Sequence, residues 1–253
     1  MKNYKLTIAY DGSRYNGWQR QGNTSNTIQQ KLEDVLSRMA GHAIEIHGAG
    51  RTDAGVHAAA QTAHFKAQLP LTPQEIQNYL NQYLPSDIAI TACEIVPERF
   101  HARLNAIGEH YRYRIQNSTV PNVFERKYMV QDAAALDLNA MHRAAEFLCG
   151  THDFRAFSSV NRRFKKSTIR TLTRIEIERI GAEIRMDFYG DGFLYNMVRI
   201  LAGTLLAVGK GEISPTDIPV ILDSLDRQYA GITMPPAGLT LMEVFYDTPH
   251  NQE

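Results

Sequence analysis

Apolar residues alternate from Tyr4 to Tyr10, then recur at helical spacing at positions 28, 32, 35, 36 and 39, and a comparable succession begins again near residue 107. Two periodicities in a fixed order constrain a fold more than any single residue, because period 2 marks a half-buried strand and period 3.6 a helix face. In the first half, strand 4–10 leads to a helix from Ile28 to Met39 with Thr27 as its N-cap. Strands at about 43–48 and 60–67 follow, then a helix opened by Thr72-Pro73 and running to about Tyr83, then a strand near 88–96. The second half has a strand at 107–116, a helix at 138–148, strands at 172–180 and 183–189 meeting at Gly181, a long helix at about 192–208, an additional one at 215–224 and a last strand at 239–246. Residues 117–137 form the long connection. Each half reads β-α-β-β-α-β, the ferredoxin-like unit. The expected class is α+β: two ferredoxin-like halves, 1–105 and 106–247, followed by a short tail at 248–253. They are expected to join into one extended, mainly antiparallel sheet, with helices on one face and a cleft on the other.

Bulk properties exclude more than they assign. Charge is balanced, 27 basic residues against 27 acidic, so any argument for a polyanionic partner must come from local clustering. The two cysteines, Cys93 and Cys149, lie far apart and lack metal-spaced companions, which predicts a reduced, cytoplasmic protein without a zinc site. The N-terminus has no apolar leader, and no apolar run is long enough to span a membrane. Gly48-Ala49-Gly50 begins like a dinucleotide fingerprint, but Asp53 stands where its third glycine belongs.

Between the third and fourth predicted elements lies Gly50-Arg51-Thr52-Asp53-Ala54-Gly55-Val56-His57-Ala58. The run is too glycine-rich for a helix and too charged for a buried strand. It places a carboxylate, a guanidinium and an imidazole on an accessible loop held by a rigid scaffold. An ordinary connection closed by an Asx-turn is the competing reading. Asp53 is the loop's only carboxylate, and His57 reads as structural, since an imidazole is not required beside an Asp and a Tyr.

Three further segments carry chemistry. The window 154–175 holds Arg155, Arg162, Arg163, Lys165, Lys166, Arg170 and Arg174, no acidic residue, and interleaved Phe154, Phe157 and Phe164. Basic groups with aromatics suit a phosphate backbone and unstacked bases, and a solvated surface loop is the alternative. Arg99-Phe100-His101-Ala102-Arg103 adds two guanidiniums that would position a polyanion without reading its sequence. In Tyr111-Arg112-Tyr113-Arg114, the tyrosines share one strand face and the arginines the other. Tyr111 can stack on a base and offer a phenol, or pack in the core. In Gly190 to Arg199, Phe193, Met197, Ile200 and Leu201 make an apolar helix face with Arg199 at its boundary. There Arg199 either snorkels to solvent or holds a carboxylate ionised.

Taken together, the chain resembles the tRNA pseudouridine synthases of the TruA family. The resemblance rests on Tyr15 to Gln21, Gly50 to Ala58, Phe100 to Arg103, Tyr111 to Tyr113, Gly150-Thr151-His152-Asp153-Phe154, Gly192 to Arg199 and Pro236-Ala237-Gly238-Leu239. It spreads over essentially the whole chain. It implies that Asp53 is the catalytic aspartate, that Arg51 helps extrude the target base, that Tyr111 stacks on it and that Arg199 pairs with Asp53. From the composition of their clusters, and apart from the resemblance, Arg103, Arg162 and Arg163 are expected to contact the RNA backbone. The resemblance further implies a homodimer, no cofactor and no metal, and as substrate the uridines at about positions 38–40 in the anticodon stem-loop of tRNA. Two alternatives stay open at this level. One is a non-catalytic RNA-binding protein with two RRM-like halves, although neither half carries the paired RNP motifs. The other is a nucleoside glycosidase, although that chemistry usually wants two carboxylates.

Overall fold

The computed structural model describes residues 1–161 and 164–247, and these divide into two units, 1–107 with 241 onward, and 108–240. The first unit holds strand β1 (Lys2–Tyr10), helix α1 (Ile28–Ala40), strands β2 (His47–Gly48) and β3 (His57–Ala67), helix α2 (Pro73–Tyr83) and strand β4 (Ile88–Val96). The strand order is β4-β1-β3, all antiparallel, and β2 also pairs with β3. This is the order a ferredoxin-like unit requires. On β1 the alternation read from the sequence becomes burial: Tyr4, Leu6, Ile8 and Tyr10 are buried, and Tyr4 stacks on its cross-strand partner Phe65.

The helices start and stop where side-chain chemistry sets them. The Thr27 hydroxyl accepts from the Gln30 N–H, and Gly41 closes α1 at φ 74°, a left-handed conformation that glycine adopts without a Cβ penalty. Ile28, Leu32, Val35 and Leu36 form the buried face. On α2, Thr72 and Glu75 make a reciprocal capping box with Pro73 in the first turn.

The expected strand at 43–48 shrinks to β2, His47–Gly48. Side chains of α1 take up the backbone groups a strand would have used. The Ile44 N–H donates to Ser37 Oγ (2.9 Å), the Ile46 N–H donates to Glu33 Oε1 (3.2 Å), and Gln29 Nε2 donates to the Ile46 carbonyl (3.2 Å). With these groups satisfied locally, no ladder is needed before residue 47.

The second half of the sequence supplies strands β5 (Ala106–Gln116) and β6 (Val130–Gln131), helix α3 (Leu138–Leu148), strands β7 (Gly150–Asp153), β8 (Ile169–Ile180) and β9 (Glu183–Gly190), helices α4 (Met197–Gly209) and α5 (Ile218–Ser224), and strand β10 (Leu239–Tyr246). The second unit's strands run β5-β9-β8-β7, antiparallel throughout, with β6 parallel to β5. Gly181 turns β8 into β9 at φ 60°. The protein is therefore α+β with mostly antiparallel pairing, and both halves of the sequence follow β-α-β-β-α-β, with β6, β7 and α5 as additions. Among the described residues, no helix is long and apolar enough to cross a membrane.

The long helix begins at Met197, five residues later than the periodicity implies, because Asn196 takes a left-handed conformation (φ 61°, ψ 5°) that ends the preceding loop. Phe193 consequently lies outside the helix. Every residue of α4 except Arg199 is buried, so the helix is enclosed on all sides rather than amphipathic.

Candidate active site

Asp53 sits on the loop between β2 and β3, and the segment around Tyr15–Trp18 fixes that loop. The Trp18 N–H donates to the Thr52 carbonyl (3.0 Å), the Gly55 N–H to the Tyr15 carbonyl (3.3 Å), and the Val56 N–H to the carbonyl of Asp53 itself (3.1 Å). Thr52 is buried, and its hydroxyl meets the Tyr10 phenol at 2.8 Å. Burial pushes that phenol's pKa up, which keeps it a neutral hydrogen-bonding group. Gly17, at φ 86°, lies so close that a Cβ there would fall 2.7 Å from the Thr52 carbonyl oxygen and 3.1 Å from the Asp53 backbone. The loop and the 15–18 segment thus touch backbone to backbone, which only glycine permits. Within this frame Arg51 is exposed, Thr52 buried and Asp53 half-buried.

His57 is buried at the start of β3. Its Nδ1 accepts from the Gly12 N–H at 3.1 Å, with the Asp11 carboxylate 3.3 Å away. The imidazole ties the exit of the loop to residues 11–12, consistent with a structural role.

Tyr111 and Arg199 belong to the second unit. Tyr111 is 6% exposed on β5, shares its face with the fully buried Tyr113, and meets Phe193 edge-on at 5.1 Å. The Tyr113 hydroxyl donates to the Pro235 carbonyl (2.8 Å), and its ring lies against Gly238, where a Cβ would come within 2.6 Å. The opposite strand face is ionic. Arg112 Nε donates to Asp187 (2.8 Å), His110 meets the same carboxylate (2.6 Å), and the Arg114 guanidinium grips Glu183 and Glu125. Arg114 holds the Glu183 carboxyl below the usual range. Arg199 lies in the first turn of α4. Its Nε donates to the Met234 carbonyl (2.6 Å) and its Nη1 to Asn196 Oδ1 (2.8 Å), while the Met234 N–H returns a bond to the Arg199 carbonyl (3.2 Å).

The basic window is only partly what its composition implied. Phe154 and Phe157 are fully buried core residues, so they are not stacking platforms. Phe164 is half-buried, and Lys165 and Lys166 are exposed. Arg174 lies over the Tyr189 ring (4.0 Å) and pairs with Glu176 (3.3 Å). Arg162, Arg163 and the tail at 248–253 lie outside the described residues.

Arg103 is exposed on a turn held by two imidazoles. His64 Nδ1 accepts from the Ala102 N–H (3.1 Å), and His101 Nδ1 accepts from the Arg103 N–H (3.2 Å). His47, His64 and His101 lie within 4.6–5.8 Å of one another by ring centroid. Among the described residues no group of this kind has the geometry to hold a metal ion. Burial, then His101 and His47, push the His64 pKa down to about 4. Below about pH 6.5 the unfolded chain therefore binds a proton that the folded chain refuses. Stability is full above that pH and falls progressively toward pH 4, by up to about 3 kcal/mol for a shift of this size. Denaturant unfolding between pH 7.5 and 5 is expected to show a shallower loss for His64→Asn than for wild type, since Asn keeps an acceptor but does not titrate. Parallel curves would remove His64 as the source.

The sequence reading gave no separate role to Thr52 or Asn196. Thr52 stood inside the motif. Asn196 carried a signal as well, a residue tolerant of left-handed backbone set within an apolar run.

A family model described as tRNA pseudouridine synthase matches residues 6–105 and 144–247. A tRNA pseudouridine synthase A of Bacillus sp. (strain KSM-64) is 49% identical over 231 residues, covering 91% of this chain and 94% of that protein. A tRNA pseudouridine synthase A 2 of Bacillus cereus (strain ZK / E33L) is 45% identical over 244 residues, covering 96% and 99%. One of the same description from Clostridium perfringens (strain 13 / Type A) is 45% identical over 246 residues, covering 97% and 100%.

Proposed function

We propose that Asp53 is the catalytic carboxylate of this chain, on the premise that the chain belongs to the tRNA pseudouridine synthase family. The enzyme is an isomerase that converts uridine in tRNA to pseudouridine. The reaction breaks the N1–C1′ bond, turns the base and rejoins it through C5, with the C5 proton lost and N1 protonated. A carboxylate near the sugar can attack C1′, as in a retaining glycosidase, or take a proton from C2′. Either route needs a carboxylate held in place, and the observation that carries the proposal is the anchoring of the Asp53 loop by the Tyr15–Trp18 backbone.

The remaining roles follow from residue chemistry and from the resemblance. Extruding a base from a stem costs a few kcal/mol. Arg51, exposed on the loop, fills the vacated space, and Tyr111 receives the base on its ring. Arg199 pairs with Asp53 and keeps it ionised. Arg103, Arg162 and Arg163 contact phosphates. The substrate uridines are those at about positions 38–40 of the anticodon stem-loop, and the enzyme works as a homodimer in the cytoplasm, without a cofactor.

Incubation with unmodified tRNA tests the site of action. Carbodiimide mapping is expected to show new pseudouridines confined to the anticodon stem-loop with tRNA mass unchanged. Modification elsewhere would reject the assignment, and loss of the base would revive the glycosidase alternative.

Binding is expected to depend strongly on salt although the protein is neutral overall. Each phosphate contact adds roughly 0.7–0.9 to the slope of log affinity against log salt. Replacing Arg162 and Arg163 by Glu is expected to flatten that slope and weaken binding to any RNA stem. A titration with unchanged slope would make the cluster a solvated face.

A further inference from the structure

Asn196 stands where a helix N-cap stands, yet it does not cap. An Asn at this position normally adopts extended backbone and accepts from the second or third N–H of its helix. Here the backbone is left-handed and, among the described residues, the side chain makes no bond to the helix backbone. Both ends of its amide are committed elsewhere. Oδ1 accepts from Arg199 Nη1 at 2.8 Å, and Nδ2 donates to Ser159 Oγ at 3.0 Å. Opposite partners define the amide's orientation, because a guanidinium only donates. The Ser159 N–H donates in turn to the Tyr195 carbonyl (3.0 Å), so Ser159 grips the 195–196 backbone and side chain together. On its other side the Arg199 guanidinium is held by the Met234 carbonyl (2.6 Å). That segment is itself docked on α4. The Gly231 N–H donates to Thr204 Oγ1 (2.9 Å), and a Cβ on Gly203 would fall 2.0 Å from the Ile232 carbonyl oxygen.

We infer that Asn196 is a positioning residue for the isomerisation: its side-chain oxygen aims the Arg199 guanidinium, and Ser159 locks Asn196 in the conformation that does so. The inference rests on the reading of Arg199 as the partner of the catalytic carboxylate. An arginine side chain has several rotatable bonds, and two fixed acceptors, the Asn196 side-chain oxygen and the Met234 carbonyl, remove most of that freedom before substrate arrives. The cap bond that α4 forgoes is the stability given up for this arrangement.

The test compares Asn196→Gly, Asn196→Asp, Ser159→Ala and Arg199→Ala, reading single-turnover rate, tRNA affinity and melting temperature. Glycine takes φ 61° without strain, so Asn196→Gly is expected to fold as wild type and bind tRNA within about threefold. Its single-turnover rate should fall roughly 10- to 100-fold, the size expected when a reacting group is misplaced by about 1 Å. Asn196→Asp keeps the side-chain shape and the acceptor but places a second carboxylate on the guanidinium. It should be slow with unchanged melting. Ser159→Ala should fall between Asn196→Gly and wild type. Wild-type rates for Asn196→Gly and Asn196→Asp beside a slow Arg199→Ala would overturn the inference and leave the Arg199 reading standing. A wild-type rate for Arg199→Ala would overturn both. A loss of melting temperature or tRNA affinity that accounts for the slower rates of both Asn196 variants would reduce Asn196 to a structural residue.

Discussion

Asp53→Asn is expected to abolish pseudouridine formation while leaving tRNA binding close to wild type. The substitution preserves size and polarity on a half-buried loop position, and it leaves the backbone bonds from Trp18, Gly55 and Val56 and the Tyr10–Thr52 bond in place. Thr52 is held through its carbonyl by Trp18 and through its hydroxyl by Tyr10, and Asp53 itself contributes its backbone carbonyl to Val56. None of these bonds involves the residue-53 carboxylate. An amide at this position can neither form the covalent sugar adduct nor take the C2′ proton, so both routes stop at their first step. Removal of a catalytic nucleophile in other enzymes lowers turnover by about 10⁴- to 10⁶-fold. Single-turnover assays with carbodiimide mapping and a parallel filter-binding measurement separate the effects. Turnover near the wild-type rate would sink the mechanism, and a collapse in affinity would show that the carboxylate serves binding instead.

Local patterns and long-range contacts divided the legibility of this chain. Helix α2 could be read off directly, because Thr72, Pro73 and Glu75 carry their own cap. The helix faces of α1 and the alternation of β1 likewise depend only on near neighbours. Two features failed because side chains changed what the backbone needed, and a third because composition carries no direction. Ser37, Glu33 and Gln29 satisfied residues 44–46 and left β2 short. Asn196 stopped the apolar pattern of residues 193–194 from continuing as helix. Phe154 and Phe157 turned into the core, since composition counts aromatics without giving their direction.

The candidate site divides the same way. The Gly50–Ala58 run was conspicuous because its residue types are incompatible with both helix and buried strand. The reason it can act as a rigid platform was not visible there. Gly17, Trp18 and Tyr10 come from segments far away in sequence, and their contact with residue 52 is a tertiary fact. Gly17, directly before the chain's one tryptophan, was the available hint; Gly48, distant in sequence, packs against the same indole, where a Cβ would fall 2.7 Å from the ring. Arg199 was noticed for its place on the edge of an apolar face. Its true distinction is sharper, as the unburied residue of a helix otherwise enclosed all round.

Tyr111→Phe is expected to bind tRNA like wild type and to react more slowly by about 10²- to 10⁴-fold, the usual contribution of a positioned proton donor or acceptor. The phenylalanine keeps the ring that meets Phe193 edge-on, and with it the stacking that the proposed role requires, worth about 1–3 kcal/mol. Tyr111→Ala is a poorer probe. The ring is 6% exposed, and deleting a buried aromatic commonly costs about 3–5 kcal/mol in stability, so a dead alanine variant would not separate chemistry from folding. Phenylalanine removes one oxygen and little else. Its neighbour on the same face shows what a purely structural tyrosine looks like: Tyr113 is fully buried, and its hydroxyl is bound to the Pro235 carbonyl. Tyr113→Phe is therefore the matched control, expected to lower melting temperature with little effect on the rate per folded molecule. If Tyr111→Phe also turns over normally, the phenol has no part in proton transfer, and the ring alone accounts for a tyrosine at this position.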